Sequence, residues 1–155
     1  MTPINLIKAL ARELREVLKG VKYEAEYQAN KEIRVYEQIM PRTQANDDTF
    51  FPNVVIHLVR VDEDGEDSIA TVNLSIAVYG GEDEQGWQDL FNIAEKVRQF
   101  VLTHPIIGGK FPLKEGLYFA PVPPAEQPEP FFYFDCIARY RIATPRVSID
   151  SIAIE

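Results

Sequence analysis

Ala70-Thr71-Val72-Asn73-Leu74-Ser75-Ile76-Ala77-Val78-Tyr79-Gly80-Gly81, then Glu82-Asp83-Glu84-Gln85, then Gly86-Trp87-Gln88-Asp89-Leu90-Phe91, is the stretch whose reading decides the fold. Its first part has a period of two. Ala70, Val72, Leu74, Ile76 and Val78 fall on one side of an extended chain, and Thr71, Asn73, Ser75 and Ala77 on the other, the pattern of a half-buried strand. Past the acidic turn the period becomes helical, with Trp87, Leu90, Phe91, Ala94, Val97 and Val101 recurring three and four residues apart. This predicts a strand, a turn and a helix, with Trp87, Leu90, Val97 and Val101 in the core. On full burial Trp87→Ala is expected to cost about 3–5 kcal/mol. The helix should end near Thr103, because His104 precedes Pro105 and the residue before proline is pushed out of the α region.

Working outward, Val54-Val55-Ile56-His57-Leu58-Val59-Arg60-Val61 reads as a strand closed by the acidic turn Asp62–Asp67, so that it forms a hairpin with the alternating strand. At the amino end, Thr2 can cap a helix with Pro3 at its first position, and Ile4, Ile7, Leu10, Ala11, Leu14, Val17 and Leu18 recur at helical spacing up to Gly20. Residues 21–32 are mixed and polar, residues 33–36 form a short strand, and 41–50 read as an exposed loop. Downstream, residues 106–110 form a loop and Leu113–Val122 a strand. A turn too rich in proline for a sheet interior then leads to Phe131–Ile142. One face of that last strand holds Phe132, Phe134, Cys136, Ala138, Tyr140 and Ile142; the other holds Phe131, Tyr133, Asp135, Ile137, Arg139 and Arg141. The expected fold class is α+β, a mainly antiparallel four- to five-stranded sheet with two principal helices on one face. Residues 1–145 form a single domain and 146–155 a tail, in which Val147 and Ile149, then Ile152 and Ile154, stand at strand spacing.

The totals fit one ordinary core: 155 residues with 46% hydrophobic content need neither disulfides nor a structural metal. A lone Cys136 excludes an intramolecular disulfide and, inside an apolar run, is expected to be a buried thiol in a reducing compartment. Sixteen Lys and Arg against 24 Asp and Glu give a net charge of −8, which disfavours wrapping nucleic acid or adhering to anionic lipid. A wall that only surrounds DNA remains compatible with it. No apolar run approaches the roughly 20 residues of a membrane span, and the first residues lack a signal pattern, so a soluble, unexported chain is expected.

No reactive constellation emerges. Glu82, Asp83 and Glu84 fill the space between the glycines where a phosphate loop needs free N–H groups, and no Lys-Ser or Lys-Thr pair follows. The glycines are read instead as a sharp exit from the strand. The Asp62–Asp67 cluster lacks the spacing of a calcium loop. His57 and His104 have no metal-binding pattern, and Cys136 and Asp135 point to opposite faces. Arg139 and Arg141 share a face with Asp135, which suggests ion pairs across strands or between subunits rather than an anion site. The expected catalytic, cofactor-binding and metal residues are therefore none.

Several short motifs, in order, resemble the tail terminator (tail completion, minor tail or head-tail joining) proteins of long-tailed bacteriophages and prophages. These are Phe51-Pro52-Asn53-Val54-Val55-Ile56; the strand Val72–Gly80 ending in Val-Tyr-Gly; Gly86-Trp87-Gln88-Asp89-Leu90-Phe91-Asn92-Ile93; Leu102-Thr103-His104-Pro105 with Ile107-Gly108-Gly109-Lys110-Phe111; and the return strand Phe131–Ile142. The likeness spans about Leu6 to Pro145. It implies a non-enzymatic ring, commonly of six copies, that caps the head-proximal end of the tail tube, ends its polymerisation and offers the joining surface for the head. The implied partners are the chain itself, the tail tube protein and the head-tail connector, with DNA only passing through the lumen and no membrane. The implied place is the virion tail, and the host cytoplasm during assembly. Phe50, Phe51, Phe131, Tyr133, Ile137, Arg139 and Arg141 are the expected interface residues, since exposed aromatics and arginines make binding hot spots. Packing of that face under the first helix or the tail is the competing expectation. A neighbouring head-tail adaptor, and a small hydrolase using carboxylates with His57 or His104, are the alternative functions.

Overall fold

The computed structural model describes residues 2–23, 31–41, 50–80, 86–126 and 131–145. Helix α1 runs Pro3–Leu18, with the Thr2 hydroxyl accepting from the Asn5 N–H at 3.4 Å. Leu6, Ile7, Ala9, Leu10, Ala11, Leu14 and Leu18 are buried. The expected stripe is right at its centre and too long at its ends, because Ile4 is 62% and Val17 38% exposed. Strands β1 (Lys22–Tyr23) and β2 (Lys31–Glu32) pair as a short antiparallel ribbon in a segment that carried no expected element.

The main sheet contains β3 (Arg34–Glu37), β4 (Asn53–Asp64), β5 (Asp67–Tyr79), β6 (Ile106–Ile107), β7 (Phe111–Pro121) and β8 (Phe131–Ile142), in the spatial order β3-β4-β5-β8-β7-β6. Only β3 with β4 is parallel. The α+β class and the antiparallel body are as expected. The sheet has six strands rather than four or five, the addition being the two-residue β6, in a stretch read as loop. Helix α2 spans Gly86–Thr103, and His104 donates its N–H to the Phe100 carbonyl at 3.0 Å where proline stops the helix. Helix α1 packs on β3 and β4, and α2 on β5 and β8. The expected strand at 113–122 is β7, and a 3-10 turn at Pro124–Glu126 opens the proline-rich stretch. The tail, Gly81 and its acidic neighbours, and most of the 41–50 loop lie outside the described residues.

Register explains how β4 keeps its apolar side inward. Val54, Ile56 and Leu58 pair with Ile76, Leu74 and Val72; then Arg60 pairs with Thr71, leaving Val59 as an extra, exposed residue. Without that bulge the two-residue period would aim Arg60 at the core. With it, Arg60 turns out and Val61 returns to the core side opposite Ala70. The hairpin closes tightly, Asp64 pairing with Asp67 across Gly65-Glu66.

The glycines around the β5–α2 connection have a reason that their sequence context hides. A Cβ on Gly80 would overlap the Phe132 ring, and one on Gly86 would stand 3.0 Å from the same ring. Both backbones close around one aromatic side chain. Gly80→Ala is therefore expected to lower unfolding free energy by about 1–3 kcal/mol in urea titration. Adding Phe132→Leu should recover part of that loss, since the smaller side chain leaves room for the methyl group.

Candidate functional site

Both helices cover one face of the sheet, so neither α1 nor α2 lies over the face that carries the expected interface residues. The helix-packing expectation for that face does not hold. Alternation in β8 puts Phe131, Tyr133, Asp135, Ile137, Arg139 and Arg141 there, opposite Tyr79, Ala77, Ser75, Asn73, Thr71 and Ile69 of β5. Beyond β8, Tyr118 of β7 stands opposite Ile137 and is 58% exposed. Tyr118 was missed from sequence because β7 carries a register shift between Lys114 and Tyr118, which breaks the simple alternation.

At one end of this face the aromatics pack on one another. Phe131 lies 4.6 Å from Phe51 and 5.4 Å from Tyr79, ring centre to ring centre. Phe51 is only 3% exposed, so its part is to support Phe131 from beneath. Phe50 diverges from it: half-buried, it meets Tyr36 edge-on at 6.4 Å, with the Arg34 guanidinium 5.9 Å from its ring. Tyr133 and Ile137 are half-buried, and burial raises the Tyr133 phenol above its usual range.

Further along, the polar groups are tied across strands. Asn73 Nδ2 donates to Asp135 Oδ1 at 3.1 Å, and Arg141 Nε lies 3.3 Å from Asp67 Oδ1. Arg139 reaches the Glu115 carbonyl at 3.5 Å. Asp135 and the two arginines thus do not share a single anion pocket. Exposed arginines beside half-buried aromatics are residue types common in binding hot spots.

Convergence is also missing among the other candidates. His57 sits on the open face opposite Asn73, whereas His104 ends α2 on the covered side, its ring 4.7 Å from Phe100 and its Nδ1 3.0 Å from the Phe100 carbonyl. Among the described residues no three His, Cys, Asp or Glu side chains are grouped to hold a metal ion. Within the acidic turn, Asp62 pairs with Arg60 at 3.0 Å, Glu63 accepts from the Ser68 hydroxyl, and Asp67 pairs with Arg141.

The covered side holds one correction. Leu90, Val97 and Val101 are core residues, but Trp87 is 46% exposed and packs edge-on to Phe91 at 5.6 Å. Phe91, itself partly exposed, meets Phe134 at 5.2 Å, and Phe134 meets Phe119 at 4.4 Å. The buried stripe of α2 is centred on Ile93, Ala94 and Val97, which leaves Trp87 on its border. The stability loss expected for full burial of Trp87 is accordingly too large.

No family model matches the chain, and no curated protein does. One solved structure whose title states no function is similar to it, at 9% sequence identity and a TM-score of 0.45, over 90% of this chain and 97% of that one.

Cys136 is fully buried, and desolvation, followed by the neighbouring Asp135 charge, pushes its thiol up to about 12 from 9.0. The native protein should therefore not react with a thiol reagent at pH 8, and labelling should appear only on unfolding. The linkage sign is fixed by the same shift. Between about pH 9 and 12 the unfolded chain releases a proton that the folded chain keeps, so stability is intact below pH 9 and falls above it. The expected slope is at most about 1.4 kcal/mol per pH unit from this group. Urea titrations of wild type and Cys136→Ala across that range check it, since the variant should lack this part of the slope.

Proposed function

We propose that this chain is a structural virion protein that assembles as a ring, of about six copies by resemblance, on the head-proximal end of a bacteriophage tail tube. There it ends tube polymerisation and presents the surface that receives the head connector. The observation that supports this reading is the sheet face turned away from α1 and α2, where Tyr118, Tyr133 and Ile137 stand beside Arg139 and Arg141 and where, among the described residues, no His, Cys, Asp and Glu side chains are grouped to hold a metal. A closed ring needs such a face against a neighbour. Phe50 extends the contact toward the β3 edge, and Phe51 supports it through Phe131. The net charge of −8 suits a lumen through which DNA slides without adhering.

In this reading the partners are further copies of the chain, the tube protein and the connector, and the site of action is the virion tail after assembly in the host cytoplasm. Electron microscopy of tail tubes polymerised with and without the protein tests it. Tubes should stop at a defined length with added density at one end. Ile137→Asp, which places a carboxylate in the open face without touching the core, should abolish both effects while leaving the far-ultraviolet circular dichroism unchanged. Tubes that lengthen in the protein's presence with no end density would overturn the terminator reading; connector binding without tube arrest would assign the adaptor role instead.

A further inference from the structure

A second contact surface lies on α1, away from the open sheet face. Lys8 and Arg12 of α1 and Lys110 of the β6–β7 turn line a cleft of about 320 Å³ floored by Ile4, Ala9 and Phe111, with no carboxylate in its wall. The cleft is held in shape. Glu13 Oε2 accepts the Gly108 N–H at 2.6 Å, binding the turn to the helix, and a Cβ on Gly108 would sit 3.2 Å from that of Ala9. Gly108 and Gly109 both have positive φ, at +60° and +69°, which brings the chain round to Lys110 beside the helix. Lys8 is paired with Glu37 at 3.5 Å, a carboxylate that it shares with Arg15 at 3.6 Å. Arg12 and Lys110 are exposed and have no carboxylate partner among the described residues.

The projecting β4–β5 turn has the opposite surplus. Asp62, Glu63 and Asp67 are each engaged within the chain, by Arg60, Ser68 and Arg141. Asp64 and Glu66, flanking Gly65 at the tip, are exposed and carry no ion pair among the described residues. Two uncommitted anions on a narrow tip match two uncommitted cations in a narrow cleft. A chain of net charge −8 has few places where a second copy meets local attraction.

We propose that the hairpin tip of one copy docks into the α1 cleft of the next, Asp64 and Glu66 against Arg12 and Lys110. The two patches are different parts of the chain, so the contact is head-to-tail and each copy both gives and receives it, the geometry that closes into rings or runs on as filaments. This names the neighbour's contact for the ring reading and shares with it only the requirement of self-association.

Charge swapping tests the pairing. Asp64→Lys with Glu66→Lys, and separately Arg12→Glu with Lys110→Glu, should each weaken self-association about tenfold or more in sedimentation at low salt. Rising salt should weaken the wild type toward the same level. Equimolar mixing of the two variants should restore assembly, because each tip then meets a cleft of opposite sign. The four-residue variant alone should also assemble. Circular dichroism and thermal melting establish that the exposed substitutions leave the fold intact. A monomeric wild type, tip variants that assemble like wild type, or failure of the mixture to recover overturns the docking. The loss of assembly in the cleft variant alone does so too, and would mark the cleft as the seat of a free anion or a foreign acidic protein. Tube termination by a protein whose assembly ignores these charges would leave the ring reading standing and this contact refuted; charge-swapped assembly without tube arrest would do the reverse.

Discussion

Strand β5 is hydrogen-bonded along nearly its whole length on both sides, and its two faces require opposite surroundings. Val72, Leu74, Ile76 and Val78 are fully shielded, while on the other face Asn73, Ser75 and Tyr79 stay half-open and Ile69, Thr71 and Ala77 are buried among their neighbours. Full burial of each such aliphatic side chain stabilises by about 1.5–3 kcal/mol. A one-residue slip against either neighbour would exchange the two sets and bury an amide and a hydroxyl in their place. The register of the sheet is thereby fixed by the central strand. Other irregularities serve it: the Val59 bulge lets β4 follow an apolar pairing through to Val61 and still turn Arg60 outward.

With register fixed, the rest of the architecture follows from coverage. Two helices are enough to close one face of six strands, each of which contributes at least one residue to the buried layer under α1 and α2. Among the described residues, the opposite face is shielded at its aromatic positions by neighbouring side chains, such as Phe131 over Phe51. Its cross-strand ties are Asn73 Nδ2 to Asp135 and Arg141 to Asp67, of which the exposed Arg141–Asp67 pair contributes little to stability. What they supply is order: side chains held in one arrangement have less freedom to lose when a partner covers them.

Two regularities made most of this legible in the sequence. The period of two from Ala70 to Val78 and in Phe131–Ile142 places nearly every core-facing residue of the central strands, and the helical periods place α1 and α2 to within a residue. The errors fall where a period ends or where the reason is tertiary. Ile4, Val17 and Trp87 match the helical spacing but lie at the edges of their stripes and are exposed. Strand β6 is two residues long and exists because its partner β7 is in place, so no local pattern announces it. The glycines at 80 and 86 invited a backbone explanation, yet the close neighbour is a phenyl ring some fifty residues later in the chain. Of the expected interface residues, alternation placed those of β8 correctly; Phe50 and Phe51, adjacent in a loop, could not be separated without knowing that one lies under Phe131.

Folding leaves several of the described residues unexplained. Core packing accounts for the aliphatic side chains, and local pairs account for most of the charges on the strands. Neither accounts for Arg139, Tyr118, the free cations of the α1 cleft or the free anions of the hairpin tip. Copies of so acidic a chain repel one another at long range, but at physiological ionic strength that repulsion is screened beyond about 8 Å. Pairs in contact are screened far less. Association therefore depends on where opposite charges meet closely, beside an apolar surface large enough to exclude water. In the proposed docking the hairpin tip and the α1 cleft supply the opposite charges, and two different surfaces per copy are the least that a closed ring of identical subunits requires.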